Sequence, residues 1–131
     1  MSGSDSFGKL ILRLTIGVLV LLHGIPKLLD PSSLQGISGM LAPFGLPAEA
    51  AYAVYIGEIA APILIIIGLL TRLGGLLIAI NMAVAIFLVH MDKLTQLTAH
   101  GGWALELEAV YLLGGLAIFF MGSGAMSVRE D

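Results

Sequence analysis

Four stretches of almost uninterrupted apolar residues, separated by more polar segments, dominate the pattern of this chain. A transmembrane helix needs about 20 apolar residues to cross about 30 Å of hydrocarbon, and each stretch has roughly that length. The pattern therefore predicts an all-α fold, an integral membrane four-helix bundle in which residues 1–131 form a single membrane domain. The predicted spans are residues 10–29, 48–70, 73–91 and 103–121.

The connections between the predicted spans differ in length. Only Thr71 and Arg72 separate the second span from the third, which predicts a tight helical hairpin. Residues 30–47, rich in glycine, proline and serine, and the polar residues 92–102 are predicted to be loops.

The first span shares some features with a secretory signal, because Lys9 and Arg13 precede its apolar core. A cleavable signal ends in small residues at its cleavage site. This core instead runs into residues 23–27, His-Gly-Ile-Pro-Lys, which are bulky and charged. The first span is therefore predicted to be retained in the membrane.

Small residues recur at four-residue spacing in two of the spans. Ala53, Gly57 and Ala61 share one face of the second span, and Ala79 and Ala83 share one face of the third. Helices in lipid pack closely where such small residues let the backbones approach. These faces are predicted to be helix–helix contacts.

Composition supports a membrane location and excludes several kinds of chemistry. Hydrophobic residues make up 58% of the chain and charged residues only 11%, against about 25% charged in soluble domains. The net charge of −3 gives no basic patch for nucleic acid. The apolar composition makes the lipid bilayer the predicted partner. With no cysteine, disulfides, thiol catalysis and thiolate-held metal sites are excluded.

Lysine and arginine are unevenly distributed between the two ends of the predicted bundle. Cytoplasmic loops of membrane proteins carry an excess of these residues. Those on one side are Lys9, Arg13, Arg72 and Arg129, and those on the other are Lys27 and Lys93. The distribution predicts that both termini lie in the cytoplasm and that the arginines are topology determinants.

A few polar side chains interrupt the spans, where a charged residue costs about 2.5–3.5 kcal/mol on insertion scales. Glu58 lies ten residues beyond the start of its span, a depth of about 15 Å. His23 and Lys27 are four residues apart and share a face of the first span. These positions predict a polar chamber, open to the outer side and grouped around Glu58 and His23. The predicted residues of this intramembrane site are His23, Lys27, Glu58, Asn81 and Glu106.

Each of these residues also has a purely structural interpretation. Glu58 can form a structural ion pair with His23 or Lys27, and Asn81 can link helices by hydrogen bonds. Glu106 can interact with the dipole of its helix. Because Glu106 and Glu108 point about 200° apart on a helix, only one of them is predicted to face the bundle.

The histidines give little support for a metal centre. A bis-histidine haem needs two histidines at matching depth, whereas His23 and His90 differ in depth by about 9 Å. His90 and His100 are weak candidates for metal ligands because no characteristic spacing accompanies them, so no metal site is predicted. The sequence also has no glycine-rich phosphate loop, nucleophile triad or dinucleotide fingerprint. It indicates no autonomous enzyme and at most a subunit of an oxidoreductase.

Several short motifs occur in a specific order along the chain. The first are Arg13-Leu-Thr-Ile-Gly17 and Leu22-His23-Gly24-Ile-Pro-Lys27. The later ones are Gly57-Glu58, Gly68-Leu-Leu-Thr-Arg72, and Glu106 with Tyr111 and Gly122-Ser-Gly124. In this order, over roughly residues 9–127, the chain resembles the DoxX family of small bacterial membrane proteins.

The resemblance implies a four-helix bundle in the bacterial inner membrane and a link to redox metabolism. Members of the family are similar to a subunit of thiosulfate:quinone oxidoreductase and to a membrane partner in an oxidative-stress complex. Because the chain lacks cysteine, a redox role would run through a bound quinone or through redox partner proteins.

The favoured hypothesis is a membrane subunit or accessory of a quinone-linked redox system, with the polar site binding a quinone head group or handling protons. Two alternatives stay open, a non-catalytic scaffold for partner proteins and a small transporter or proton pathway. Assembly into a homo-oligomer is compatible with each of them.

Overall fold

The chain folds into helices throughout the residues that the computed structural model describes, which are 3–30, 32–89, 95–97 and 101–131. Within these ranges there is no β-strand, and the predicted all-α fold class is confirmed. The helices are α1 (Gly3–Leu29), α2 (Ser32–Leu41), α3 (Glu49–Ile67), α4 (Thr71–Val89) and α5 (Glu106–Met121).

Helices α1, α3, α4 and α5 occupy the four apolar stretches and pack around a common core. Both α1 and α3 are long and apolar enough to cross a bilayer, whereas the apolar part of α4, Thr71–Phe87, is shorter. The outer surface carries large exposed apolar side chains on each of the four helices, among them Leu22, Ile63, Ile80 and Leu113. An apolar surface of this kind suits contact with lipid rather than water.

Helix α2 corrects the prediction that residues 30–47 form a loop. Asp30 lies just before it, and its carboxylate accepts hydrogen bonds from the main-chain N–H and the hydroxyl of Ser32, the first residue of the helix, at 3.1 and 2.6 Å. The helix is followed by a 3₁₀ turn, Ala42–Phe44, which ends at Gly45 with a φ of +77°. Leu41 is buried. Frequent glycine and serine hide the helical periodicity of this segment in the sequence.

Glycines bring α4 and α5 unusually close together. A Cβ atom on Gly75 would lie 2.6 Å from the carbonyl oxygen of Gly115, and one on Gly115 would lie 2.6 Å from that of Gly75. Of the small residues predicted to form contacts, Ala61 and Ala79 are buried. Ala53 is instead exposed and borders a pocket described below.

We expect Gly115→Ala to lower the free energy of unfolding by about 1–3 kcal/mol, because the added methyl group forces α4 and α5 apart. The measurement is unfolding in mixed micelles followed by circular dichroism. Gly8→Ala is the matched control, since a Cβ there meets nothing within 4 Å and alanine favours the helix by up to about 1 kcal/mol. Equal stability of the two variants would contradict the close approach.

The end of the bundle that contains Arg13 is closed by residues 122–131, here called the closing segment. The Arg13 side chain is fully buried and donates hydrogen bonds to four carbonyl oxygens. Two belong to α3, Ile65 at 2.8 Å and Ile66 at 3.2 Å, and two to the closing segment, Ser123 at 3.0 Å and Met126 at 2.7 Å. Arg13 therefore joins three parts of the chain, a structural role beyond that of a topology determinant.

Main-chain hydrogen bonds extend this closure. The N–H groups of Val128 and Arg129 donate to the carbonyl oxygens of Ile67 and Gly68, both at 3.1 Å. Arg72 binds the carbonyl oxygens at the end of α5 and the closing segment at Asp131. The four cationic residues predicted to share a side thus lie at this end, while Lys27 lies at the opposite end of α1, called the Lys27 end.

Candidate intramembrane ligand site

Glu58 lies in a widened turn of α3 that the sequence explains. Pro62 has no N–H group and cannot donate to the carbonyl of Glu58 four residues earlier. Over Ile56–Ala60 the helix adopts π geometry, in which the N–H of Ala61 bonds to the carbonyl of Ile56 five residues earlier. Turns of this kind often occur at functional sites.

The Glu58 carboxylate is buried, and each of its oxygens has a partner. Its Oε1 forms an ion pair with Nζ of Lys27 at 2.6 Å, and its Oε2 accepts a hydrogen bond from Nδ2 of Asn81 at 3.2 Å. Lys27 is in turn positioned by Tyr55, whose hydroxyl donates to the Lys27 carbonyl oxygen at 3.2 Å. The pairing offsets the large cost of burying a carboxylate away from water.

Two glycines let these helices approach closely enough for the pairing. A Cβ on Gly24 of α1 would collide with the main chain of Glu58, and one on Gly57 would lie 2.5 Å from the Asn81 side chain. Because Gly24 is five residues from the end of α1, Glu58 lies only about 8 Å from the Lys27 end of that helix. Glu58 is therefore closer to the Lys27 end of the bundle than the depth of about 15 Å predicted from the start of its own span. The difference arises because α3 begins beyond the end of α1.

An apolar pocket of about 470 Å³ lies between α2, α3 and α4, with Lys27, Glu58 and Asn81 in its wall. It is called here the ligand pocket. Its other lining residues are apolar, and its size is within the usual range for small-molecule sites. Met40, Ile56 and Ile80 line the pocket and are each more than half exposed. The pocket therefore opens at the exposed apolar surface of the bundle.

A second cavity of about 130 Å³, called here the chamber, lies between α1, α3, α4 and α5. The hydroxyl of Tyr111 is 3.3 Å from Nε2 of His23, and the two rings meet edge to face. Glu108 also lines the chamber. The Lys27–Glu58 ion pair and Asn81 border both cavities, so they form a polar wall common to the two.

The structure brings together most of the residues predicted for the polar site, with two changes. His23 lines the chamber but bonds to Tyr111, and the partner of Glu58 is Lys27, whose long side chain turns inward. Glu106 is exposed and does not line either cavity, and Glu108, two residues further along α5, takes that position.

The two weak metal candidates, His90 and His100, lie outside the described residues. In the described part of the chain, no three histidine, cysteine or acidic side chains form a group suited to a metal ion.

Three residues lie in the site without having been predicted for it. Tyr55 was not singled out in the sequence, whereas Glu108 and Tyr111 were named there but not assigned to the polar site. Glu108 and Tyr111 are three residues apart and therefore share a face of α5. Their spacing, together with the depth of His23 on α1, could have indicated that both residues face the same polar site. Nothing in the sequence pointed to Tyr55, because its contact is with the main chain of another helix.

The fold defines a class, the small all-α membrane proteins, and this chain also has a buried ion pair between two of its helices. The sequence pattern of the DoxX family matches residues 8–91, and the chain belongs to that family.

Three relatives match most of the chain. A Bacillus subtilis protein named "Putative oxidoreductase CatD" is 30% identical and covers 86% of this chain and 81% of its own length. A Haemophilus influenzae protein named only as uncharacterized is 34% identical and covers 89% and 84%. The "Uncharacterized membrane protein Rv3486" of Mycobacterium tuberculosis is 31% identical and covers 89% and 76%. No solved structure matches the chain.

Proposed function

We propose that this DoxX-family chain is the quinone-binding membrane subunit of a redox system in the bacterial inner membrane. A redox partner protein supplies the electrons, because the chain has no cysteine with which to carry them as thiols. Both termini face the cytoplasm, so the Lys27 end faces the outer side. The oxidoreductase name of the Bacillus subtilis relative supports the redox assignment.

The observation that carries the proposal is the ligand pocket, which combines an apolar interior with polar groups in one wall. A quinone has two carbonyl oxygens that accept hydrogen bonds. Lys27 and Asn81 each use one described donor on Glu58, and an ammonium and an amide have three and two donor hydrogens. Donors therefore remain on both residues for the ring oxygens.

The mouth of the ligand pocket suits the rest of such a molecule. Quinones of respiratory membranes carry long apolar tails and diffuse within the bilayer. The exposed apolar lining residues Met40, Ile56 and Ile80 support an opening towards lipid. A tail can leave the pocket through this mouth while the head group lies against the Lys27–Glu58 pair.

We expect Ala53→Phe to weaken quinone binding at least tenfold, because Ala53 lines the ligand pocket and the larger ring fills it. Ala60→Phe is the matched control, on the same helix but exposed and not lining the pocket. Binding of a short-tailed quinone to the purified chain is measured by native mass spectrometry, after extraction of any bound molecule.

The result expected is one quinone per chain in the unaltered protein and in Ala60→Phe, with loss of binding confined to Ala53→Phe. Two results would overturn the proposal. One is equal quinone binding by both variants, and the other is a pocket filled by a phospholipid that quinone does not displace.

A further inference from the structure

The chamber contains an unusual set of titratable side chains for the interior of a membrane bundle. We propose that it delivers protons from the outer aqueous phase to the ligand pocket, with the Lys27–Glu58 ion pair as the gate between the two cavities. This inference rests on the proposed quinone-binding function. The titratable and polar groups that face the chamber from the four surrounding helices are His23, Lys27, Glu58, Asn81, Glu108 and Tyr111.

The position and size of the chamber fit the passage of protons through water. One water molecule takes up about 30 Å³ of liquid volume, and buried waters occupy polar cavities whereas apolar ones stay dry. The chamber, at about 130 Å³, has room for a few waters among these side chains. Its access lies near the Lys27 end, because His23 is exposed and Glu108 belongs to the first turn of α5.

Quinone chemistry requires such a supply. Reduction of a quinone to its quinol adds two electrons and two protons, and the protons end on the two ring oxygens. In the proposed system the redox partner provides the electrons. The protons must come from water, and the only polar side chains among the described lining residues of the ligand pocket are those of its polar wall, Lys27, Glu58 and Asn81.

Lys27 can pass a proton across that wall because it borders both cavities. Its ammonium gives one proton to a ring oxygen as the ring gains electrons, which leaves a neutral amine beside Glu58. A protonated water in the chamber then returns a proton to the amine. The cycle runs twice for each quinol formed, once for each ring oxygen, with the ring reversed in the ligand pocket between the two transfers, and every protein group ends in its starting state.

His23, Tyr111 and Glu108 carry protons into the chamber. An imidazole can accept a proton on one nitrogen and release one from the other, and the Tyr111 hydroxyl at 3.3 Å is placed to exchange with Nε2 of His23. The Glu108 carboxylate attracts hydrated protons to the same cavity. These three residues line the chamber and do not line the ligand pocket, so proton delivery is separable from quinone binding.

The test compares Glu108→Gln and His23→Ala with Glu106→Gln. Glu106 is on the same helix as Glu108, loses the same charge on substitution, and is exposed outside both cavities. For each purified protein, quinone affinity is measured first. The rate of quinol formation is then followed by absorbance in stopped flow, with dithionite as the electron donor.

We expect unchanged quinone affinity in all three variants, and a rate of quinol formation at least tenfold lower in Glu108→Gln and His23→Ala only. Added imidazole should restore the rate of His23→Ala, which a merely structural role of His23 would not allow. Normal binding with equal rates in all variants would overturn the chamber proposal and leave quinone binding intact. An equally slow Glu106→Gln would also overturn it, and failure of the unaltered chain to bind quinone would overturn both.

Discussion

Lys27→Met is expected to lower the free energy of unfolding by about 3–5 kcal/mol, the usual cost of removing one partner from a buried ion pair. The side chain of Glu58 is only 7% exposed, so its carboxylate would be left buried with Asn81 as its remaining partner. Glu58→Gln should cost less, because the Lys27 side chain is 35% exposed and its ammonium can reach water.

The double variant Lys27→Met with Glu58→Gln separates the ion pair from simple loss of packing. A neutral amide at residue 58 keeps a hydrogen-bonding group for Asn81 and removes the unpaired charge, so most of the lost stability should return. Unfolding by SDS titration in mixed micelles, analysed as a double-mutant cycle, gives the coupling energy. Strictly additive losses would show that the two side chains do not depend on each other.

Arg13→Met is expected to cost at least about 3 kcal/mol, because four carbonyl groups lose their donor, two of them (Ile65 and Ser123) in buried hydrogen bonds, and each unsatisfied buried group costs about 1–3 kcal/mol. The closing segment should detach from α3. Hydrogen exchange measured by mass spectrometry reports this directly, since the amides of Val128 and Arg129 are bonded to Ile67 and Gly68. Their exchange should become fast in the variant.

Arg129→Met provides the control for Arg13→Met. It removes the same charge at the same end of the bundle, but the Arg129 side chain is exposed and its described contact is through the main chain. We expect little change in stability or exchange. If Arg13→Met left the exchange of Val128 as slow as in the unaltered chain, the anchoring role of Arg13 would be refuted.

The four main helices were predictable because the thickness of a bilayer sets the length of an apolar helix. The polar site was partly predictable for a related reason. A carboxylate at residue 58 requires a partner inside the bundle, and Lys27 was one of the two named. The choice between His23 and Lys27 was beyond the sequence, because it depends on how far α1 and α3 are offset along their axes.

Other features depended on contacts that no local pattern records. Arg13 looked like a charge at a membrane boundary, yet it is buried because the distant residues Ser123 and Met126 fold back over it. The choice of Glu108 over Glu106 depends on the rotation of α5 about its axis. The helical periodicity alone allowed either carboxylate to face the bundle. The packing of α5 against α1 through Tyr111 turns Glu108 towards the chamber.

The ligand pocket opens on the side of the bundle, and this position determines the concentration scale on which a dissociation constant has to be given. If the ligand is a tailed quinone, as proposed, it reaches this mouth from the hydrocarbon phase, where each buried CH₂ group favours it by about 0.8 kcal/mol. Occupancy then follows the mole fraction of ligand among lipid or detergent molecules, and not its concentration in the buffer. Adding empty micelles at a fixed total amount of protein and ligand should strip the pocket, and an affinity constant for this protein acquires meaning only with the amphiphile content stated.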